Sequence, residues 1–181
     1  MIETKRLILR RLSKEHGAGF QEIFNHPDFY YLGAVSCNGD GHAYLDKRLA
    51  LQNFDADGTT PISASYAIIL KSEDKVIGYQ SAGDNHLLPE MAKYGWELGS
   101  FIHPDHQRKG YATEAREAML KHLQDTYGQK LFYSTVDPEN IASVSVLTKC
   151  GFEKKEELRD DTVACLFKGP RDIYALNLEQ N

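Results

Sequence analysis

The segment Gln107-Arg108-Lys109-Gly110-Tyr111-Ala112 carries the strongest chemical signal in the chain. Glycine at 110 and alanine at 112 leave backbone N–H groups uncovered where a helix begins. There the unpaired N–H groups and the positive end of the helix dipole make a site for phosphate oxygens. Arg108 and Lys109 add positive charge beside it. The spacing is neither G-x-x-x-x-G-K-[ST] nor G-x-G-x-x-G, so it is not a Walker loop or a dinucleotide fingerprint. Taken alone, the segment reads equally well as a polar helix start that needs a glycine to turn.

Five other groups of residues could carry chemistry. Glu97 lies mid-strand beside Trp96 and Gly99, either as a working carboxylate or as a glutamate on the solvated face of a sheet. Asn140 and Ser143 form an N-x-x-S unit at a helix start, where Asn140 serves equally as an ordinary N-cap. His103, Asp105 and His106 share one turn, but two histidines three apart in a loop are a weak metal signature, and a polar turn is the better account. No metal is expected. Cys150 falls on the inner side of its helix before Gly151, which favours a core role over a nucleophile lacking a histidine partner. Glu156, Glu157, Asp160 and Asp161 read as a solvated face from which one carboxylate could reach an amine.

The elements that must position these residues follow from periodicity. Leu7-Ile8-Leu9 reads as a first strand. Ser13 caps a helix expected over Lys14 to Phe24, with Phe20, Ile23 and Phe24 inward. A Gly-rich loop over residues 33 to 41 leads to a second helix, His42 to Phe54, burying Leu45 and Leu49. Tyr66 to Leu70 and Val76 to Ser81 are β-rich runs joined by a polar turn. A further strand is expected from about Lys93 to Ile102, its two glycines marking a bulge or a close approach of other backbone. Ala112, Ala115, Met119, Leu120 and Leu123 then form a clean helical stripe that Gly128 closes. Leu131 to Val136 is a strand, and a short helix with Val144 and Leu147 inward ends at Cys150-Gly151. Phe152 to Leu158, Val163 to Phe167 and Asp172 to Leu178 complete the strands. The order reads as one α/β domain.

Composition bounds the function. The 181 residues hold 21 Lys+Arg against 26 Asp+Glu, a formal charge of −5 that argues against a general nucleic-acid binder. Hydrophobic residues make up 41%, enough for a full core in a single domain. Cys37, Cys150 and Cys165 form no CxxC pair, so a reduced, cytoplasmic setting is expected. No apolar leader and no run of about 20 apolar residues occurs, so neither secretion nor membrane insertion is expected. A homodimer through sheet or helix edges stays open.

The segment Ile102-His103-Pro104-(x₂)-Gln107-Arg108-Lys109-Gly110-Tyr111-Ala112 resembles the pyrophosphate-binding motif of the GCN5-related N-acetyltransferase (GNAT) superfamily. That motif is a hydrophobic residue, x, Pro, then Q/R-x-x-G-x-G/A opening a long helix. Three more segments resemble the RimJ/RimL-like branch, which acetylates ribosomal-protein N-termini. These are Glu3 to Arg10, Val136-Asp137-Pro138-Glu139-Asn140-Ile141-Ala142-Ser143-Val144 continuing through Leu147 to Gly151-Phe152, and Arg171 to Leu176.

The resemblance implies a single α/β (α+β) acetyltransferase domain over residues 1 to 181. Its mixed, mostly antiparallel sheet would have six to seven strands flanked by about four helices. It also implies transfer of an acetyl group from acetyl-CoA, as co-substrate, to a primary amine by direct attack in a ternary complex. The acceptor would be a peptide N-terminal α-amine or a small-molecule amine. Glu97 is then the candidate base and Ser143 the candidate acid beside the CoA sulfur. Gln107, Arg108, Lys109, Gly110, Tyr111, Ala112 and Thr113 would hold the cofactor's phosphates. Phe101 and Ile102 would lend backbone groups to the pantetheine arm, and Asn140 would bond its amide. The Ile102 N–H or a neighbour would steady the oxyanion. The acceptor would enter over Phe29, Tyr30, Tyr31 and Trp96. Two positions depart from the pattern. Ser100 stands where the branch commonly has tyrosine, and Leu147 where many relatives carry a tyrosine acid. A non-catalytic acyl-CoA-binding module of the same fold is the competing reading.

Overall fold

Alternation of apolar residues builds the sheet: in the strand Leu7–Arg11, Leu7 and Leu9 are fully buried while Arg10 is exposed. The computed structural model describes residues 1–30, 37–54, 61–84, 89–158 and 169–179. The strands are β1 (Ile2–Glu3), β2 (Leu7–Arg11), β3 (Asn53–Phe54), β4 (Pro61–Leu70), β5 (Lys75–Gly83), β6 (Trp96–Ile102), β7 (Leu131–Val136), β8 (Glu153–Leu158) and β9 (Arg171–Asn177). The α-helices are α1 (Gly17–Asn25), α2 (Gly41–Ala50), α3 (Tyr111–Tyr127) and α4 (Ile141–Lys149).

All nine described strands form one sheet, in the order β1-β2-β4-β5-β6-β7-β9-β8 with β3 paired to β4 off this path. Every pairing is antiparallel except that of β6 with β7. The strand count exceeds the expected six to seven because β1 and β3, two residues each, are short edge pairings with no periodic signal of their own. The mixed, mostly antiparallel architecture is as expected, and four α-helices lie among the described residues.

The two faces have separate cores. On one, α3 and α4 cover the strands through Met119, Leu120, Leu123 and Leu147, packed with Leu7, Leu9, Ile68, Leu98 and Ile102. On the other, α1 and α2 bring Phe20, Ile23, Phe24, Tyr44 and Leu45 onto Ala67, Tyr79 and Phe101.

Several boundaries differ from the sequence expectation, each for a local reason. The first helical segment opens as a 3₁₀ turn, Lys14–His16, because the Ser13 N–H donates to His16 Nδ1 at 3.1 Å and closes the first turn tightly. The second helix ends at Ala50, because Asn53 and Phe54 are taken up by the sheet against Ser63 and Pro61. The strand expected from Lys93 begins at Trp96, preceded by the 3₁₀ segment Pro89–Tyr94. Gly95 makes that switch at φ +82°, packed so closely on the Leu131 carbonyl that a Cβ would collide with it. The expected strand Val163 to Phe167 lies outside the described residues, as do Tyr31, Cys165, Asp160 and Asp161.

Candidate active site

Strands β6 and β7 are hydrogen-bonded neighbours only at Trp96↔Phe132 and Glu97↔Tyr133, although β6 continues to Ile102 and β7 to Val136. From Leu98 onward the strands separate, and their facing edges carry backbone groups not used in a ladder. Alternation decides which groups those are. The Leu98 carbonyl accepts from Ser134 Oγ on β7, so the odd-numbered neighbours Gly99 and Phe101 turn their backbone polar groups the other way. Consistently, Phe101 O lies against β5, where a Cβ at Gly78 would stand 2.5 Å away. The backbone groups facing the gap are therefore those of Ser100 and Ile102. Phe101 is corrected on this point. Its backbone pairs with Tyr79, and its ring is core, stacked on Tyr79 at 5.2 Å and edge-on to Phe29 at 5.2 Å.

At the far end of the gap, residues 107–110 lead into α3. Arg108 (φ +58°) and Gly110 (φ +81°) both adopt left-handed backbone, a geometry that turns successive N–H groups outward. Gly110 supplies no side-chain cap. Glu114 N bonds Gly110 O at 3.1 Å, so the N–H groups of Tyr111, Ala112 and Thr113 precede the first intrahelical bond. Arg108 and Lys109 are exposed beside them. Gln107 is directed elsewhere: its Nε2 donates to Ile102 O at 3.0 Å, tying the loop to the end of β6.

Three residues from the N-terminal segment and α3 brace this helix start. Glu114 accepts from Thr4 Oγ1 at 2.6 Å, from the Arg6 N–H at 2.9 Å and from Arg6 Nε at 2.6 Å. Burial alone pushes the Glu114 carboxyl up, but the bonds from Thr4 and Arg6 outweigh it and hold it below the ordinary carboxylate range. Arg6 also donates to Lys109 O at 2.9 Å and lies over the Tyr111 ring at 4.5 Å. An acidic residue in the first turn opposes the positive helix end favourably. This brace was not among the sequence candidates. Its signal was present in Thr4, Arg6 and Glu114, but their contact spans more than a hundred residues and no local pattern reports it.

Glu97 occupies the point where the strands part, half-buried on the α1–α2 face with Tyr133 and Thr135. Burial raises its carboxyl above the ordinary range, opposed by the Thr135 Oγ1 hydrogen bond at 3.3 Å and by the Arg48 charge. A carboxyl raised in this way is a stronger base than an ordinary surface carboxylate. Burial together with the Glu97 charge holds the Tyr133 phenol well above its usual range, so it stays a protonated donor.

Asn140 caps α4, its Oδ1 accepting from the Ser143 N–H at 3.0 Å. The cap leaves the amide nitrogen for another acceptor. Ser143 is half-buried in the first turn of the same helix, following the end of β7. The acceptor-side residues are not brought together as one surface. Phe29 packs at 5.0 Å on Phe24 within the α1–α2 core, Tyr30 is 73% exposed, and Trp96 packs against the opposite, α3-side core. Period-two alternation explains the separation, because Trp96 and Glu97 are consecutive in one strand.

His103 Nδ1 accepts from the Asp105 N–H at 3.2 Å, His26 Nε2 meets Asp105 Oδ1 at 3.2 Å and His106 Nε2 meets Glu73 Oε2 at 3.2 Å. Among the described residues no group of three or more His, Cys, Asp or Glu is arranged to hold a metal ion. Burial pushes the Cys150 thiol up to about 11, so little thiolate is present at neutral pH. Glu156 is paired with Lys93 at 2.5 Å and with the Tyr94 hydroxyl at 2.6 Å. No described helix is long and apolar enough to cross a membrane.

A family model described as an acetyltransferase (GNAT) domain matches residues 6–153. The chain belongs to the GNAT family. It is 26% identical over 158 residues to the uncharacterized N-acetyltransferase YnaD of Bacillus subtilis, covering 85% of this chain and 83% of that one. It is also 26% identical over 145 residues to the L-amino acid N-acyltransferase MnaT of Escherichia coli, covering 80% and 78%. Among solved structures, RimL, the ribosomal L7/L12 α-N-protein acetyltransferase in complex with coenzyme A, superposes with a TM-score of 0.74. That match has 14% identity and covers 98% of this chain and 97% of that one. In this GNAT acetyltransferase, residues 107–110 lie in the loop that leads from the parted strand β6 to α3.

Proposed function

We propose that this GNAT acetyltransferase moves the acetyl group of acetyl-CoA to a primary amine by direct attack in a ternary complex. The observation that carries the proposal is the parting of β6 and β7 beyond Glu97, with a braced, uncapped helix N-terminus at one end and a half-buried carboxyl at the other. An elongated ligand with an anionic head and an uncharged arm fits such a groove. The anion meets the N–H groups of Tyr111, Ala112 and Thr113 with Arg108 and Lys109. The arm runs along the edge of β6, where the Ser100 backbone groups and the Ile102 N–H are offered, and the Asn140 amide lies at the opposite lip.

The chemistry then follows from the reacting groups. An ammonium must lose a proton before it can attack, and Glu97 accepts it, directly or through water. Attack on the thioester carbonyl develops negative charge on its oxygen, which a β6 N–H facing the gap, Ile102 foremost, stabilises. The departing thiolate takes a proton, for which the Ser143 hydroxyl is the donor nearest in sequence to the α4 cap. The raised Cys150 thiol supports direct attack rather than an acetyl-cysteine intermediate.

Two of the relatives whose names state an acceptor act on an amino acid and on a protein α-amine, and both are primary amines. The test is thiol release with acetyl-CoA across N-terminal peptides, amino acids, polyamines and aminoglycosides, with products identified by mass spectrometry. Acetylation of at least one amine class is the expected outcome. Tight acetyl-CoA binding without any acetylated product would identify a binding module instead, and no acetyl-CoA binding at all would overturn the proposal.

A further inference from the structure

We propose that Arg116 is a positioning residue that sets the width of the groove between β6 and β7. Arg116 lies in α3 and is 3% exposed. Its Nη2 donates to Ser100 Oγ on β6 at 2.8 Å, and its Nη1 donates to Ser134 Oγ on β7 at 3.1 Å. Ser134 Oγ in turn donates to the Leu98 carbonyl at 2.7 Å. One guanidinium and one hydroxyl thus tie the two strand edges together immediately beyond the last ladder pair, Glu97↔Tyr133. The inference rests on the acetyltransferase reading for the ligand that fills the groove, and deepens it by naming what holds the groove in shape.

The physical argument has three parts. Parallel strands that leave a ladder lose the bonds that fix their separation, so another interaction must set it. A planar guanidinium has donors at fixed spacing, so it holds two acceptors at one distance, as a lysine ammonium on its flexible stem cannot. Burying a charged group inside the α3-side core is costly unless it is hydrogen-bonded, so the network cannot loosen cheaply. The Phe152 ring, 5.8 Å from the guanidinium carbon, limits it further from the α4–β8 side. Gln80, directly opposite Ser100 on β5 and fully buried, extends the polar strip across a third strand. Ser100 matters for its size: a short hydroxyl there leaves room for the guanidinium, which a large side chain would displace.

Arg116 touches no reacting atom in this scheme, so its substitution should move cofactor recognition rather than proton transfer. The test compares Arg116→Met, Arg116→Lys and Ser134→Ala with Met119→Ala, which removes buried bulk from the same helix and core without removing a hydrogen bond to either strand. Amide exchange on the ligand-free protein is expected to quicken about tenfold at residues 98–102 and 134–136 in the Arg116 variants. The acetyl-CoA KM is expected to rise about tenfold with the amine KM held within about twofold, and lysine should not rescue either effect.

Unchanged exchange and unchanged acetyl-CoA KM would overturn the proposal. So would the same pattern in Met119→Ala at an equal loss of Tm, which would mark a general packing effect. Should both Arg116 variants fail to fold, Ser134→Ala carries the test, because it cuts one strand from the network while leaving the charge in place. Failure of the underlying acetyltransferase reading would appear separately, as an unsubstituted protein that neither binds acetyl-CoA nor releases thiol.

Discussion

Replacing Glu114 by alanine tests the brace that holds the N-terminus of α3. The carboxylate accepts three hydrogen bonds, at 2.6, 2.9 and 2.6 Å, from Thr4 Oγ1, the Arg6 N–H and Arg6 Nε. The Arg6 side chain is 40% exposed and that of Glu114 18%, so solvent screening reduces the ion pair to about 0.5–1 kcal/mol. The two remaining bonds contribute about 1 kcal/mol each, so the variant should lose about 2–3 kcal/mol. For a chain of this size that corresponds to a fall in Tm of about 5–10 °C. Glu114→Gln keeps one acceptor oxygen and should lose about half as much.

The pH dependence has a definite sign. The folded state holds the Glu114 carboxyl below its ordinary value, so its stabilisation is complete above that ordinary value and is lost as pH falls through the lowered one. The Tm gap between the two proteins should therefore be constant from about pH 6 to 8 and close below about pH 4. Differential scanning fluorimetry across pH reads the gap, and steady-state kinetics read the consequence for ligand. With the helix start unbraced, the acetyl-CoA KM should rise about fivefold. A Tm loss under about 2 °C, or a gap that persists unchanged into acid, would refute the reasoning.

Four further predictions concern the reacting groups and their supports. Glu97→Gln should cut turnover by about 10²–10⁴ while sparing acetyl-CoA binding, and should abolish the rising acidic limb of kcat/KM. That limb lies above the ordinary carboxylate range because burial raises the Glu97 carboxyl. An unchanged pH profile in the variant would exclude Glu97 as the base. The same burial predicts that Glu97→Gln melts higher than the unsubstituted protein at pH 8, since the fold disfavours the ionised carboxylate, and circular-dichroism melting decides it. Asn140→Ala should cost about 1 kcal/mol through the lost α4 cap. Ser143→Ala leaves that backbone bond intact, so a slower turnover at unchanged Tm would assign the proton donor, and a normal rate would remove Ser143 from the reaction.

Much of this molecule was legible in one dimension because its signals are short-range. The β7 strand, the buried stripe of α3 and the glycine that ends it follow from periodicities of two and 3.6 and from the left-handed Gly128. The open helix start at Gly110 was legible for the same reason, since a helix N-terminus is a property of a few consecutive residues. Other features depend on which strand lies beside which, and the sequence order conceals it. The insertion of β9 between β7 and β8, the parting of β6 and β7 and the turning of Phe101 toward β5 all arise from pairing register. Alternation puts Trp96 and Glu97 on opposite faces, but which core each face meets was not known until β6 was packed.

By itself the sequence determined the family, the acetyltransferase class and the residues that open α3, because a motif and a helix start are local in chain and in space. Only the tertiary structure decided what holds that motif in place. Thr4 and Arg6 reach Glu114, and Arg116 joins Ser100 to Ser134, through contacts between segments far apart in sequence. The physical reason is that a hydrogen bond requires its donor and acceptor to meet at about 3 Å, and chain folding alone brings such residues that close.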